Sequence, residues 1–320
     1  MDKPILISGI PRSGTTWVAE VLSYPENVKY IHEPDNERRA FLAHYFKQGL
    51  ARFPYLRFHD NHNGYYKLFR GAFHDNYSSI YSFTNRFMRR LNAANIKVIE
   101  EDHRIYGKNK EGRLPSAYYY LYKLLPKDLK KPKEKDLRVV KSVHHILALP
   151  FLIKNFNLHH LVVIRNPLNV FSSYKLLNNK DAVRNIHSNQ RLIKDFNLTV
   201  PEFNDRYERA GLQISMFYYM IERYVKEYDM CLVRYESILD NPVQYFQRIY
   251  NQFGLAWNDG VREFIESKNK KGSGYTTNRI FSEQKEVWKN RLKSDEIERF
   301  LKGYNTLKND LYPQPLHSNN

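Results

Sequence analysis

The sequence holds a single cysteine, Cys231, so no disulfide can close within the chain. Its setting in the apolar run MCLV makes it read as a buried small hydrophobe. No run of about 18 apolar residues occurs, which argues against a membrane-spanning helix and leaves only peripheral contact with a membrane surface open. The opening MDKP leads straight into an apolar strand, without an apolar h-region or a small-residue cleavage site, so a cytoplasmic protein is expected. There is no H-E-x-x-H and no cysteine pattern for a metal site. The group His59, Asp60 and His62 and the pair His74 and Asp75 read as structural or solvated, and no metal is expected. Acidic charge is scarce: 34 Asp and Glu face 51 Lys and Arg, for a formal net charge of +17. That balance favours anionic ligands, acidic polymers or membrane surfaces and does not specify a fold. Any one lysine run reads equally well as solvated surface.

A further absence lies in the first motif. In ILISGIPRSGTTWVAEVLS an apolar strand enters a glycine-bearing loop that opens a helix, the layout of a phosphate-binding loop. The lysine of G-x-x-x-x-G-K-[ST] is missing, and Thr15 stands in its place between Gly14 and Thr16. This argues against ordinary ATP chemistry. Amides at a helix N-terminus still form an anion site with the helix dipole. Ser13, Thr15 and Thr16 add hydroxyls, and Arg12 adds a fixed positive fork. Trp17 flanks a bound base or fills the core.

The 320 residues suffice to bury a core without disulfides or metals. Apolar runs at Ile5 to Ser8, Val28 to Ile31, Ile96 to Ile99, Leu137 to Val140, Leu161 to Ile164 and Cys231 to Val233 read as strands buried on both faces. Helical patterns lie at Thr15 to Ser23, Leu168 to Leu177, Asp205 to Tyr228, Pro242 to Phe253 and Ser294 to Leu307. The alternation predicts an α/β fold, doubly wound, with a mainly parallel sheet and ligands beyond the carboxyl ends of its strands. One domain is expected over residues 1–312, with a flexible tail at 313–320. Residues 35–132, rich in Tyr, Phe, Arg, Lys and Asn, read as a helical and loop insertion lidding the acceptor side. Its cluster of Tyr118, Tyr119, Tyr120 and Tyr122 reads as lid packing or a sugar-stacking platform, and Lys127 to Lys135 as an exposed linker.

A second anion signal follows the strand LVVI. Arg165 stands at its carboxyl end, Pro167 suits the start of the next helix, and Ser173 follows Arg165 by eight residues, about two turns. Together with the altered loop, this pattern resembles the PAPS-dependent sulfotransferases, which move a sulfuryl group from 3′-phosphoadenosine-5′-phosphosulfate (PAPS) to an acceptor and release 3′,5′-ADP (PAP). Pro11 to Trp17 is similar to the family's 5′-phosphosulfate loop, in the arginine form of carbohydrate-type and bacterial members. Arg165, Asn166 and Ser173 match its 3′-phosphate motif, with Asn169 where many relatives carry Asp, a change expected to bear on local capping. Arg234 to Pro242 and Val287 to Phe300 resemble two further family blocks. The Arg-Lys-Gly triplet of the cytosolic animal enzymes is replaced by Phe-Ser-Glu, so Arg279, Lys285 or Lys270, Lys271 and Gly272 are the candidates for its charge.

The resemblance implies metal-independent, in-line transfer, with Arg12 and the Ser13 to Thr16 donors on the leaving phosphate. For the base it implies Glu33, in a Glu-Pro pair like that of carbohydrate-type members. Pro34 biases Glu33 toward an extended backbone, and since free glutamate is a feeble base, a pKa raised by partial burial would help it. A capping carboxylate is the alternative role. Lys141 matches the family lysine that bridges to the sulfuryl oxygens, while His144 is a competing base, one residue off the family spacing. The expected acceptor is a glycan or glycolipid, with no nucleic acid as substrate. Two rivals stay open: a nucleotide kinase or triphosphatase, disfavoured because no Walker-B aspartate follows an apolar strand, and a non-catalytic basic glycan- or nucleic-acid-binding protein.

Overall fold

A computed structural model describes residues 3–36, 43, 46–47, 50–74, 137–177, 186–273 and 276–312. The apolar runs among them form strands, because branched and aliphatic side chains in continuous series can be covered on both faces. In chain order the elements are β1 (Ile5–Ser8), α1 (Thr15–Leu22), β2 (Val28–His32), α2 (Asn63–His74), β3 (Leu137–Lys141), α3 (Leu149–Asn155), β4 (His159–Ile164) and α4 (Pro167–Leu176). They continue as α5 (Gln190–Asp195), α6 (Arg206–Glu227), β5 (Cys231–Arg234), α7 (Tyr235–Asp240), α8 (Pro242–Phe253), α9 (Asp259–Ser267) and α10 (Ser294–Tyr304). The expected α/β class with a mainly parallel sheet is what forms. The strand order is β2-β3-β1-β4-β5.

Two parallel registers fix which strand ends emerge side by side. β2 runs beside β3 with Val28 opposite Leu137 and His32 opposite Lys141. β4 runs beside β5 with Leu161 opposite Cys231 and Ile164 opposite Arg234. The expected strand at 96–99, the tyrosine cluster, the 127–135 run and the tail lie outside the described residues. Helix α2 falls within the stretch read as an insertion.

The chain divides into two compact units, Met1–Leu6 with Asn27–Leu158, and Ile7–Glu26 with His159–Asn320. In the first, α2 buries Tyr65, Leu68, Phe69, Ala72 and Phe73, and Tyr65 packs 6.0 Å from Phe151 of α3. Arg138 on β3, 3% exposed, donates to the carbonyls of Gly71 and Ala72 at 3.4 and 3.2 Å. It thereby closes the last turn of α2, where unpaired carbonyls carry partial negative charge.

In the second unit α6 is capped by Asp205, whose side chain accepts from the amides of Tyr207 and Glu208 at 2.7 and 3.1 Å. Helix α6 lies against α10, and Phe171 of α4 stacks on Phe300 of α10 at 4.5 Å. Close approach is permitted at Gly211, where an added Cβ would run into the Phe300 carbonyl and sit 2.7 Å from the Tyr304 amide. Cys231 is half-buried, with its sulfur 3.4 Å from Gln252, and not the fully buried hydrophobe expected, because β5 is the last strand of the sheet. Among the described residues no helix is long and apolar enough to cross a membrane.

Gly211→Ala should force α6 and α10 apart and cost about 1–3 kcal/mol, the usual cost of overpacking. A lower urea midpoint with an unchanged slope would be the readout; an unaltered midpoint would mean that the two backbones are not in contact.

Candidate active site

The loop after β1 is built by its own turn. The Ser13 amide and hydroxyl both donate to the Ile10 carbonyl, at 3.2 and 2.8 Å, so the hydroxyl expected to face a ligand is committed inside the loop. Gly14 caps α1 in the left-handed region, φ 92°, and an added Cβ there would collide with the Tyr235 ring. No side chain caps the first turn of α1, so its amides keep their capacity for an anion. Thr15 is buried and Thr16 half-buried.

Arg12 also takes a left-handed backbone, φ 71°, at a cost of order 1–3 kcal/mol for a residue with a Cβ. Its Nε donates to Ser173 Oγ at 2.8 Å, and its carbonyl accepts from Arg165 Nη1 at 3.3 Å. The loop, the strand-end arginine and the α4 serine, which the sequence placed in two separate anion motifs, are therefore joined, with Arg12 and Ser173 161 positions apart. The β4/β5 register explains the next contact: Ile164 faces Arg234, so their successors Arg165 and Tyr235 meet, with the guanidinium 4.7 Å from the ring centre. Arg165 is 8% exposed, and its Nε has no hydrogen-bond partner among the described residues.

More positive charge gathers here than the motifs announced. Burial lowers the pKa values of Arg279 and Arg291; the like charge of Arg165 lowers both further, against an opposing effect of Tyr235 on Arg279, and Arg279 acts on Arg291 as well. Arg279 was one of the sequence candidates; Arg291 was missed, although it lies three residues after Trp288 in the C-terminal block. Lys285, by contrast, pairs through Nζ with Asp240 at the surface. Asn169 does more than cap locally. It is fully buried, donates to the Lys285 carbonyl at 2.7 Å and accepts from the Trp288 amide at 3.1 Å, tying α4 to the C-terminal block. Trp17 is 3% exposed among Tyr235, Phe246 and Phe281, at 5.9, 5.2 and 4.9 Å, so it belongs to the core. Its Nε1 is buried without a hydrogen-bond partner among the described residues.

The other candidates sit in the first unit. Because His32 faces Lys141 across β2 and β3, the next residue, Glu33, donates its amide to the Lys141 carbonyl at 2.6 Å. Its Oε1 accepts from Lys141 Nζ at 2.6 Å and its Oε2 from Asn36 Nδ2 at 2.6 Å. Glu33 and Lys141 are 7% and 3% exposed, which makes this a buried ion pair. The extended backbone expected of Glu33 is corrected, and the raised pKa that would help it as a base is not found. Its backbone is not extended but left-handed, φ 47°, because its carbonyl turns to accept the Asn36 amide at 3.2 Å and close the turn over Pro34. Its pKa is not raised: burial pushes it up, but nearby positive charge, above all the Lys141 ammonium that also donates a hydrogen bond to it, outweighs burial and holds it well below the ordinary carboxylate value.

His144, the competing base, is 1% exposed, and its Nε2 accepts from Arg52 Nε at 3.2 Å. Of the residues set aside as a metal group, His62 accepts through Nδ1 from the Tyr65 amide at 3.0 Å, Asp60 accepts from the Arg57 amide at 2.8 Å, and Asp75 lies outside the described residues. Among the described residues no three His, Cys, Asp or Glu gather as a metal site would require.

The sequence profile described as the sulfotransferase family matches residues 4–259, most of the chain, and the protein belongs to that family. No curated protein matches the chain. Among solved structures it is similar to the sulfotransferase domain from the curacin biosynthetic pathway, at 15% identity, TM-score 0.44, and coverage of 93% of this chain and 96% of that one. Mouse sulfotransferase SULT7A1 complexed with PAP gives 10% identity, TM-score 0.41, and 97% and 87% coverage. A sulfotransferase from Alicyclobacillus acidocaldarius gives 14% identity, TM-score 0.38, and 93% and 100% coverage.

The Glu33–Lys141 pair sets a pH dependence. With the folded pKa lowered, its contribution is fully present above the unfolded value of 4.5 and is lost as pH falls through the folded value. Glu33→Gln should cost about 3–5 kcal/mol near neutral pH, since it leaves Lys141 as an uncompensated buried charge. The gap between variant and native urea midpoints should narrow on acidification; a gap independent of pH would show that the pair carries no charge.

Proposed function

We propose that the protein transfers a sulfuryl group from PAPS to the hydroxyl of a glycan or glycolipid, within one catalytic domain over residues 1–312 and without a metal. Family membership makes sulfuryl transfer the reaction class. The observation that carries the choice of donor is the arginine group around Arg165. A phosphate dianion there would accept from its buried, unpartnered Nε and offset the repulsion among Arg165, Arg279 and Arg291. These arginines and Ser173 hold the 3′-phosphate in this reading. Lys285 is less suited to that task because its ammonium is engaged by Asp240. The uncapped first turn of α1, with Arg12, Thr15 and Thr16, binds the 5′-phosphosulfate and stabilises the charge that develops on the leaving phosphate.

Glu33 takes the acceptor proton as the acceptor oxygen attacks sulfur and the bond from sulfur to the leaving phosphate breaks. The pull of Lys141 makes Glu33 a feeble base in the structure described. If Lys141 turns its ammonium to the sulfuryl oxygens, that pull is shared with an anion while the burial of Glu33 persists, and its pKa rises toward a useful range. His144 fits the role less well. Arg52 Nε can only donate, so His144 Nε2 must accept, and protonating it would set two cations against each other. The glycan acceptor rests on the Glu-Pro pair and the arginine-form loop alone.

A thermal-shift titration with 3′,5′-ADP beside ATP·Mg tests the donor. At about 100 times its Kd, 3′,5′-ADP should add roughly 2.7 kcal/mol. Arg165→Ala should abolish the response, and stabilisation by ATP·Mg alone would replace this reading with a kinase. Glu33→Gln should lower turnover by roughly 10²–10⁴-fold while the 3′,5′-ADP response survives. In an acceptor screen with labelled donor, transfer only to phenols or steroids would overturn the glycan assignment.

A further inference from the structure

Behind the Glu33–Lys141 pair lies a closed ring of hydrogen bonds that the sequence did not announce. Asp35, two residues after Glu33, is fully buried, and its Oδ1 accepts from Ser142 Oγ in the loop that follows β3. Ser142 Oγ accepts from the His144 amide at 3.1 Å. His144 Nε2 accepts from Arg52 Nε at 3.2 Å, and the Arg52 carbonyl accepts from Lys47 Nζ at 3.0 Å. The same Nζ donates to the Asp35 carbonyl at 3.1 Å and closes the ring. Lys47 and Ser142 are fully buried. Tyr65 of α2 adds a hydroxyl to Asp35 Oδ2 at 3.2 Å.

We propose that Asp35 is a positioning residue for sulfuryl transfer, holding the turn of Glu33 against Lys141 through this ring. The proposal rests on Glu33 being the acceptor base. A left-handed glutamate before proline persists only where its surroundings over-determine it. Three observations do so: the Glu33 amide on the Lys141 carbonyl, the Glu33 carbonyl on the Asn36 amide, and the Asp35 carboxylate on Ser142 and Tyr65. Only the third comes from a side chain within the turn that reaches a different loop, and Ser142 directly follows Lys141. Shifting Asp35 therefore shifts Glu33 and Lys141 relative to each other. The same ring fixes His144 as an acceptor toward Arg52, so one carboxylate orders both candidate bases.

The test follows Glu33 itself. In protein labelled with ¹³C at the glutamate carboxyls, with the Glu33 signal assigned from its loss in Glu33→Gln, native Glu33 should titrate below the ordinary carboxylate range. The groups facing it are Lys141, His144 and His32, with Asn36 as a neutral donor. Asp35→Asn should raise that midpoint, because the pull of Lys141 slackens while burial remains, and transfer should slow by about 10- to 100-fold. Ser142→Ala, which cuts the same link from the other side, should move the midpoint in the same direction and serves if Asp35→Asn does not fold. A role in stability alone would lower the unfolding midpoint and leave the Glu33 titration in place. An unmoved Glu33 titration in either folded variant overturns the proposal. A native protein that fails to respond to 3′,5′-ADP would overturn the donor assignment instead, whatever the titration shows.

Discussion

Parallel strand registration is the constraint on which the candidate chemistry depends. In a parallel pair two chains run in one direction, so the residues just past their ends emerge side by side. His32 opposite Lys141 brings the Glu33 amide to the Lys141 carbonyl and the two side chains into an ion pair. Ile164 opposite Arg234 brings the Arg165 guanidinium over the Tyr235 ring. A slip of one residue in either register would turn that strand's side chains to the opposite face and dissolve the pairing at its end. The buried strands β3 and β4, each paired with a half-buried edge strand, hold those registers in place.

The two clusters use buried charge in opposite ways. In the first unit a carboxylate and an ammonium neutralise each other with close hydrogen-bond geometry, the condition under which a buried pair can offset its desolvation. In the second, guanidiniums are gathered without a carboxylate among the contacts described for Arg165, and their partners are carbonyls, a hydroxyl and an aromatic face. Arg279 and Arg291 are repelled by Arg165, and an anion bound among them would offset that repulsion. Arginine suits the purpose because it stays charged where a buried lysine would lose its proton.

Backbone strain falls on the residues proposed to do the chemistry. Among the described non-glycine residues, positive φ occurs at Arg12, Glu33 and Asn197, and two of the three are candidate site residues. Each is secured by groups distant in sequence: Arg12 by Ser173 and Arg165, Glu33 by Lys141 and, through its turn, by Ser142 and Tyr65. Strain of this kind needs a rigid frame, which the sheet ends and α2 supply.

The sequence by itself determined the strand–loop–helix unit, the α/β class and most of the described element positions. Continuous apolar runs and 3.6-residue periodicity are local signals, and β1 and α8 begin and end where the runs do. It also singled out Arg12, Arg165 and Ser173, because a loop motif and a strand-end motif are short and contiguous. Only the tertiary structure decided what those residues touch. The left-handed turn of Glu33 went against the local bias of Pro34, since a distant carbonyl and a buried carboxylate fix it. The depressed Glu33 pKa depends on a lysine 108 residues away, the approach of Arg279 and Arg291 to Arg165 on a chain that returns from its C-terminal block, and the Asp35 ring on three separate loops. Local pattern encodes which segments become strands and helices; electrostatics and long-range hydrogen bonds exist only once the sheet has brought its ends together.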